Sequence, residues 1–168
     1  MPVSDSEYPN WLWRADSPAS ALRAETVVFD MDGVISDASH RQHFLNDGRR
    51  DWDGFFGACG DDAVIEDTAV LLDLLGSDHS VVLLTARPMR VRPETLDWLD
   101  RHDLRWDGLF MRDYGDYTAS RRFKSETVEQ MKGRGMDLRL AFEDDIRNVE
   151  MFRAHEIPCI YIHSGYYE

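Results

Sequence analysis

Two aspartates one residue apart, Asp30 and Asp32, close the apolar run 26–29, and Gly33 follows at once. Thr-Val-Val-Phe is short, continuous and rich in β-formers, the pattern of a strand buried on both faces. Carboxylates delivered to the end of such a strand are costly unless a cation meets them. In an open α/β sheet, the carboxyl ends of strands are also where ligands bind. Asp-x-Asp-Gly there suggests a metal-assisted carboxylate site; the competing reading is a solvated Asp-Gly turn. Other stretches weigh against the turn. The apolar run 80–84 leads into Thr85-Ala86-Arg87-Pro88, and the run 138–142 leads into Glu143-Asp144-Asp145. All three strand ends should converge on one rim of a sheet. Lys124, on the helix expected before the last of these strands, is the candidate ammonium. Carboxylates around an oxygen-loving cation, with a hydroxyl and an ammonium nearby, suit phosphoryl transfer. Hard oxygen donors without His or Cys make Mg²⁺ the natural metal.

The elements that must position these residues alternate. The stretch 66–75 carries Val70, Leu71, Leu74 and Leu75 as one helical face, and Gly76 suits its stop. Pro93 fits the first turn of a helix with Leu96, Trp98 and Leu99. Residues 108–111 form a short strand. Ser120 is the expected N-cap of a helix through Phe123, Val128 and Met131, stopped by Gly133 and Gly135. Residues 149–153 are helical, and 159–162 make a fifth strand. Strands alternating with helices predict a parallel sheet covered on both faces, an α/β domain. Residues 1–23 form an irregular N-terminal extension with Pro2, Pro9 and Pro18, and its Trp11 and Trp13 should pack on the domain or on a partner. The domain proper is expected over 24–168. Its insertion 38–67 is too short for a separate cap, with helical pieces around 40–45 and 52–59, and should overhang the acidic strand end.

The 168 residues suit one domain with a sizeable core. Apolar content of 43% and charged content of 30% are ordinary for a globular protein. A net charge of −13 disfavours non-specific attraction to nucleic acid or an anionic membrane, while leaving room for a small phosphorylated ligand. No apolar run approaches the roughly 20 residues of a membrane helix. The first residues lack the pattern of a signal peptide, so a cytoplasmic protein is expected, with Cys59 and Cys159 as free buried thiols.

DMDGVISD, LLTARP, Lys124 and AFEDD, in that order, resemble the four ordered motifs of the haloacid dehalogenase-like hydrolases, over residues 26–162. A narrower likeness lies in Arg112, Gly115-Asp116, Lys124 and AFEDDIRNVEMF, which are similar to the 3′-phosphatase domain of bacteriophage polynucleotide kinase-phosphatase. No Gly-x-x-x-x-Gly-Lys-Ser/Thr loop is present for a kinase half. The resemblance implies a single Rossmann-like domain with parallel strands ordered 5-4-1-2-3. It implies a Mg²⁺-dependent phosphomonoesterase in which Asp30 is the nucleophile. Asp32 would be general acid and base, with its main-chain carbonyl on the metal. Thr85 and Ala86 would hold the phosphoryl oxygens, Lys124 would neutralise charge, and Asp30, Asp32 and Asp144 would form the metal site. Glu143 stands where the family's first acidic-pair aspartate is usual, so Glu143, Asp144 and Asp145 remain alternative ligands, with Asp144 preferred.

Arg87 and Arg112 have two readings each, gripping a substrate phosphate or holding an acidic loop such as 113–116. His40, Arg41 and His43 in the insertion read as surface residues before substrate contacts. Trp52, Phe55 and Phe56 read as insertion core before a base-stacking platform. The narrower resemblance points to a nucleotide or nucleic-acid 3′-phosphate as substrate. A small phosphometabolite, or a phospho-ligand held without catalysis, is the alternative. A strand-binding track would have to come from Arg87, Arg90, Arg92, Arg112, Arg121 and Arg122.

Overall fold

β-Branched and aromatic runs separated by amphipathic helices give a central sheet with a helical layer on each face. The computed structural model describes residues 1–15, 22–46 and 48–167. The strands are β1 (Val3–Ser4), β2 (Trp11–Trp13), β3 (Glu25–Phe29), β4 (Ser36–Asp37), β5 (Ala63–Val64), β6 (His79–Pro88), β7 (Gly108–Arg112), β8 (Asp137–Glu143) and β9 (Cys159–Tyr161). The helices are α1 (His43–Asn46), α2 (Trp52–Gly57), α3 (Glu66–Leu74), α4 (Arg92–Arg101), α5 (Ser120–Gly133) and α6 (Ile146–Ala154). Seven strands form the main sheet in the order β1-β2-β7-β6-β3-β8-β9.

The parallel strands β9-β8-β3-β6-β7 reproduce the expected 5-4-1-2-3 order. Register aligns their ends. Phe29 of β3 lies opposite Leu83 of β6 and Phe142 of β8. Asp30, Thr85 and Asp144 therefore leave the sheet at one rim, within two residues of that row. Alternation along β3 splits the core. Val27 and Phe29 join Leu72, Trp98 and Leu99 of α3 and α4 on one face. Val28 joins Phe123, Val128 and Met131 of α5 and Val149, Met151 and Phe152 of α6 on the other.

Residues 1–15 depart from the irregular extension that the prolines suggested. β2 pairs antiparallel with β7, and β1 with β2, so this segment extends the sheet. Burial of Trp11, Leu12 and Trp13 drives the pairing. Trp11 stacks on Phe110 with ring centroids 4.1 Å apart. Trp13 Nε1 donates to Asp5 at 3.0 Å, and Arg134 also reaches that carboxylate. Pro18 lies outside the described residues. Truncating the fully buried indole in Trp11→Ala should cost about 3–5 kcal/mol of stability. Urea unfolding measures this, and a loss near zero would mean that the strand adds nothing to the core.

α3 is rotated from its expected face. Thr68 and Leu72 are buried and Leu71 and Leu75 are half-buried against the core, whereas Val70 and Leu74 are 58% and 77% exposed. The Thr68 hydroxyl donates to the Val34 carbonyl at 2.5 Å. Ser120 is the first residue of α5 rather than its cap; Ala119 precedes it without a side-chain capping bond. The insertion forms α1, α2 and the β4–β5 ribbon. Cys59 and Cys159 are free and buried, as expected. Among the described residues, no helix is long and apolar enough to cross a membrane.

Candidate active site

Past Phe29 the chain turns tightly. Asp30 N–H donates to the Phe142 carbonyl at 3.0 Å, and the N–H groups of Val34, Ile35 and Ser36 converge on the Met31 carbonyl. Gly33 sits at φ +83°, and a Cβ there would lie 2.1 Å from an oxygen of Asp144. Only glycine lets the turn come this close to the end of β8.

Lys124 rises from α5 beneath this turn, 1% exposed. Its Nζ donates to Asp30 Oδ1 at 2.8 Å and also to Glu143. Burial opposes its charge, but the two carboxylates outweigh burial and push its pKa upward. One oxygen each from Asp30, Glu143 and Asp144 falls within 4.8 Å of the others. Burial, reinforced by repulsion from Asp30, raises the pKa of both Glu143 and Asp144. Three carboxylates facing one ammonium leave a local negative excess. Both Asp144 oxygens are buried without a hydrogen bond of ordinary geometry among the described residues, although Ser164 lies beside them. A hard divalent cation fits this donor set.

The acidic triplet divides by environment. Glu143 is committed to Lys124. Asp145 caps α6, accepting from Arg147 N–H at 3.0 Å and from the Arg147 guanidinium. Asp144 is left beside Asp30 and Glu143, with its carboxylate oxygens within reach of theirs. If a cation binds there, Mg²⁺ should raise the Tm of the wild type. Asp144→Asn should abolish that gain. An Mg²⁺-insensitive wild-type Tm would count against the site.

Asp32 points away from this cluster. Its Oδ1 accepts from Arg87 Nε at 2.9 Å and Nη2 at 2.7 Å, and from Arg41 Nη2 at 2.7 Å. Beneath them, the fully buried Asp62 carboxylate accepts from Arg41 at 2.8 and 2.7 Å and from Arg87 at 3.2 Å. Ser36 and His40 also bond to Asp62. Burial works against ionisation of Asp32, yet Arg87 and Arg41 together lower its pKa to about 2.

Arg87 holds acidic residues, the second of its expected roles, but its partners are Asp32 and Asp62 of the insertion instead of the loop 113–116, and it is sealed from solvent. Arg41 overturns its surface reading; it is fully buried, with its guanidinium 4.3 Å over the Phe55 ring. A signal for Arg41 existed in the sequence. Lys124 can meet only one of the two strand-end carboxylates, and SHRQ is the next basic stretch after Asp32. Asp62 gave no comparable signal, because its partners are distant in sequence.

Thr85 is buried at the end of the straight part of β6, where its Oγ1 accepts from Arg87 N–H at 3.1 Å. Ala86 lies beside it, half-buried. Arg112, at the end of β7, is half-buried with its guanidinium 5.6 Å over the Phe123 ring. Its Nε is buried without a hydrogen-bond partner among the described residues. Asp116 is instead satisfied by Thr118, at 2.9 and 2.7 Å. Of the other arginines, Arg90 pairs with Asp53 and Arg122 with Glu126.

A parallel sheet that gathers Asp30, Lys124 and an acidic pair at one rim is the architecture of a haloacid dehalogenase-like phosphatase. The chain belongs to the family of the polynucleotide kinase PNKP phosphatase domain, whose model matches residues 24–167. It is similar to a chain of the Pnkp1/Rnl/Hen1 RNA repair complex, at 25% identity and a TM-score of 0.69 over 90% of its own length. A second Pnkp1/Rnl/Hen1 structure matches at 23% identity and a TM-score of 0.71, again over 90% of the chain. The chain spans about half of those two chains, 45% and 48% of their lengths. A haloacid dehalogenase-like hydrolase from Streptococcus pneumoniae shares the fold, with 15% identity, a TM-score of 0.59, and coverage of 90% of this chain and 89% of that one. No curated protein matches the chain significantly.

Proposed function

We propose that the chain is a Mg²⁺-dependent phosphomonoesterase that removes a 3′-phosphate from a nucleotide or nucleic-acid end through an aspartyl-phosphate on Asp30. The observation that carries this reading is the asymmetry of the two strand-end aspartates. Asp30 lies against Lys124 and the Glu143–Asp144 pair, and Asp32 lies against two arginines.

An Asp30 oxygen attacks phosphorus, and the bond to the leaving oxygen breaks as that oxygen takes a proton from Asp32. Water then gives a proton to Asp32 and attacks the same phosphorus, releasing inorganic phosphate and restoring Asp30. Arg41 and Arg87 keep Asp32 ionised before substrate arrives. The charge of an incoming phosphate raises the proton affinity of Asp32, which takes up the proton carried in on the substrate's phosphate monoanion and passes it to the leaving oxygen in the first step. Thr85 and the backbone at Ala86 hold phosphoryl oxygens, Lys124 balances charge between Asp30 and the phosphate, and Arg112 offers its free donors to the substrate. Asp30, Asp144 and the Asp32 main-chain carbonyl would hold Mg²⁺. When bound, the ion supplies charge neutralisation at the phosphoryl oxygens.

The 3′-phosphate assignment rests on the family and on the likeness to chains of an RNA repair complex. A small phosphometabolite is the second reading, favoured by the net charge of −13 and by the carboxylate partners of Arg87, Arg90 and Arg122. A phosphate-release screen separates the two. It should include 3′-phosphorylated oligonucleotides, nucleoside 3′- and 5′-monophosphates, and sugar phosphates. Release from the 3′-phosphates is expected, and turnover confined to sugar phosphates would overturn the substrate while leaving the hydrolase.

A further inference from the structure

The segment after β9 crosses the front of the acidic cluster. Ile162 N–H bonds to the Glu143 carbonyl at 2.8 Å and holds the segment to the end of β8. Ser164 packs beside Gly33 and Asp144, its Cβ 3.0 Å from where a Gly33 Cβ would sit. Gly165, at φ +81°, turns the chain, and the Tyr166 hydroxyl donates to Asp37 at 3.1 Å, at the start of the insertion. These contacts anchor the segment on both sides of the site.

Tyr167 comes next and is 55% exposed. The Arg147 guanidinium sits 5.7 Å from its ring centroid and is itself held by Asp145 at 3.0 and 2.8 Å. The exposed ring thus stands beside the acidic end of β8, between the anchored segment and the start of α6. The wall behind it is charged, so an exposed aromatic surface here has no counterpart in the chemistry proposed for the phosphate.

We propose that Tyr167, braced by Arg147, is the stacking platform for the nucleobase next to the scissile 3′-phosphate; this rests on the proposed function. A phosphate seated between Asp30 and Lys124 leaves its sugar and base directed outward, toward this rim. Stacking accepts any base, because every base has a π-face, and it needs no continuous basic track. That reconciles a nucleic-acid end with a net charge of −13.

The test is a cycle of Tyr167→Ala against removal of the terminal base, with kcat/KM measured in Mg²⁺. The substrates are a 3′-phosphorylated oligonucleotide and the same oligonucleotide ending in an abasic 3′-phosphate. The wild type should lose on the order of tenfold on the abasic end. Tyr167→Ala should lose a similar factor on the intact end and little more on the abasic one. Tyr167→Phe should behave as the wild type, which guards against a folding defect in the alanine variant. Additive penalties, or a wild type indifferent to base removal, would overturn the platform alone. No release from any 3′-phosphate would overturn the proposed function and the platform with it.

Discussion

Asp30→Asn should reduce phosphate release by about a thousandfold or more. The substitution keeps the size of the side chain and its hydrogen bond from Lys124, so the fold should survive. What it removes is the carboxylate proposed to bond phosphorus, for which the neighbouring groups offer no substitute. Glu143 is tied to Lys124, and Asp32 to Arg41 and Arg87. An initial-rate assay on a 3′-phosphorylated oligonucleotide, with a thermal melt to confirm folding, gives the result. Turnover within tenfold of the wild type in a folded variant would remove Asp30 from the mechanism.

Arg87→Met should lower stability by about 3–5 kcal/mol, because it leaves buried carboxylates short of a cation. Asp32 and Asp62 share the Arg87 guanidinium, and Arg41 alone then serves both. The pH dependence identifies the cause. In the wild type, the pKa of Asp32 falls from 3.8 to about 2 on folding. A depressed carboxyl pKa contributes stability above the unfolded value and loses it as pH falls through the folded one. Without Arg87, the Asp32 pKa rises, so the deficit should be full at neutral pH and shrink as pH drops from about 4 toward about 2. Urea unfolding over that range measures it. A deficit independent of pH would point to lost packing instead. Activity should fall as well, since Asp32 would no longer be held in one place.

The parallel sheet was legible because short apolar runs ending in Asp30, Thr85 and Glu143 can be read locally, and alternation with helices fixes their direction. The acidic cluster followed from the same strand ends. Its cation, Lys124, was legible because a helix precedes the acidic strand. The reading failed where contacts join distant stretches. Asp62, Ser36, Arg41 and Arg87 come from different segments, and only the folded chain brings them around Asp32. The prolines of the first residues suggested an irregular extension, while Trp11 and Trp13, expected to pack, do so within a strand paired with β7. On α3, Leu71 and Leu75 of the expected face pack against the core, while Thr68 and Leu72 are buried where Val70 and Leu74 were expected.

The central claim is covalent catalysis by Asp30, and acid-quenched trapping tests it most directly. In Asp32→Asn, an aryl phosphate, whose leaving oxygen needs no proton, can still phosphorylate Asp30, while activation of water is weakened, so the phosphoryl group should accumulate on the enzyme. The variant is mixed with Mg²⁺ and an aryl phosphate, quenched in acid, digested and examined by mass spectrometry. The account predicts one added phosphoryl group on the peptide bearing Asp30, absent when Asp30 is also replaced. A phosphoryl group on another residue, or continued phosphate release with none on Asp30, would contradict it.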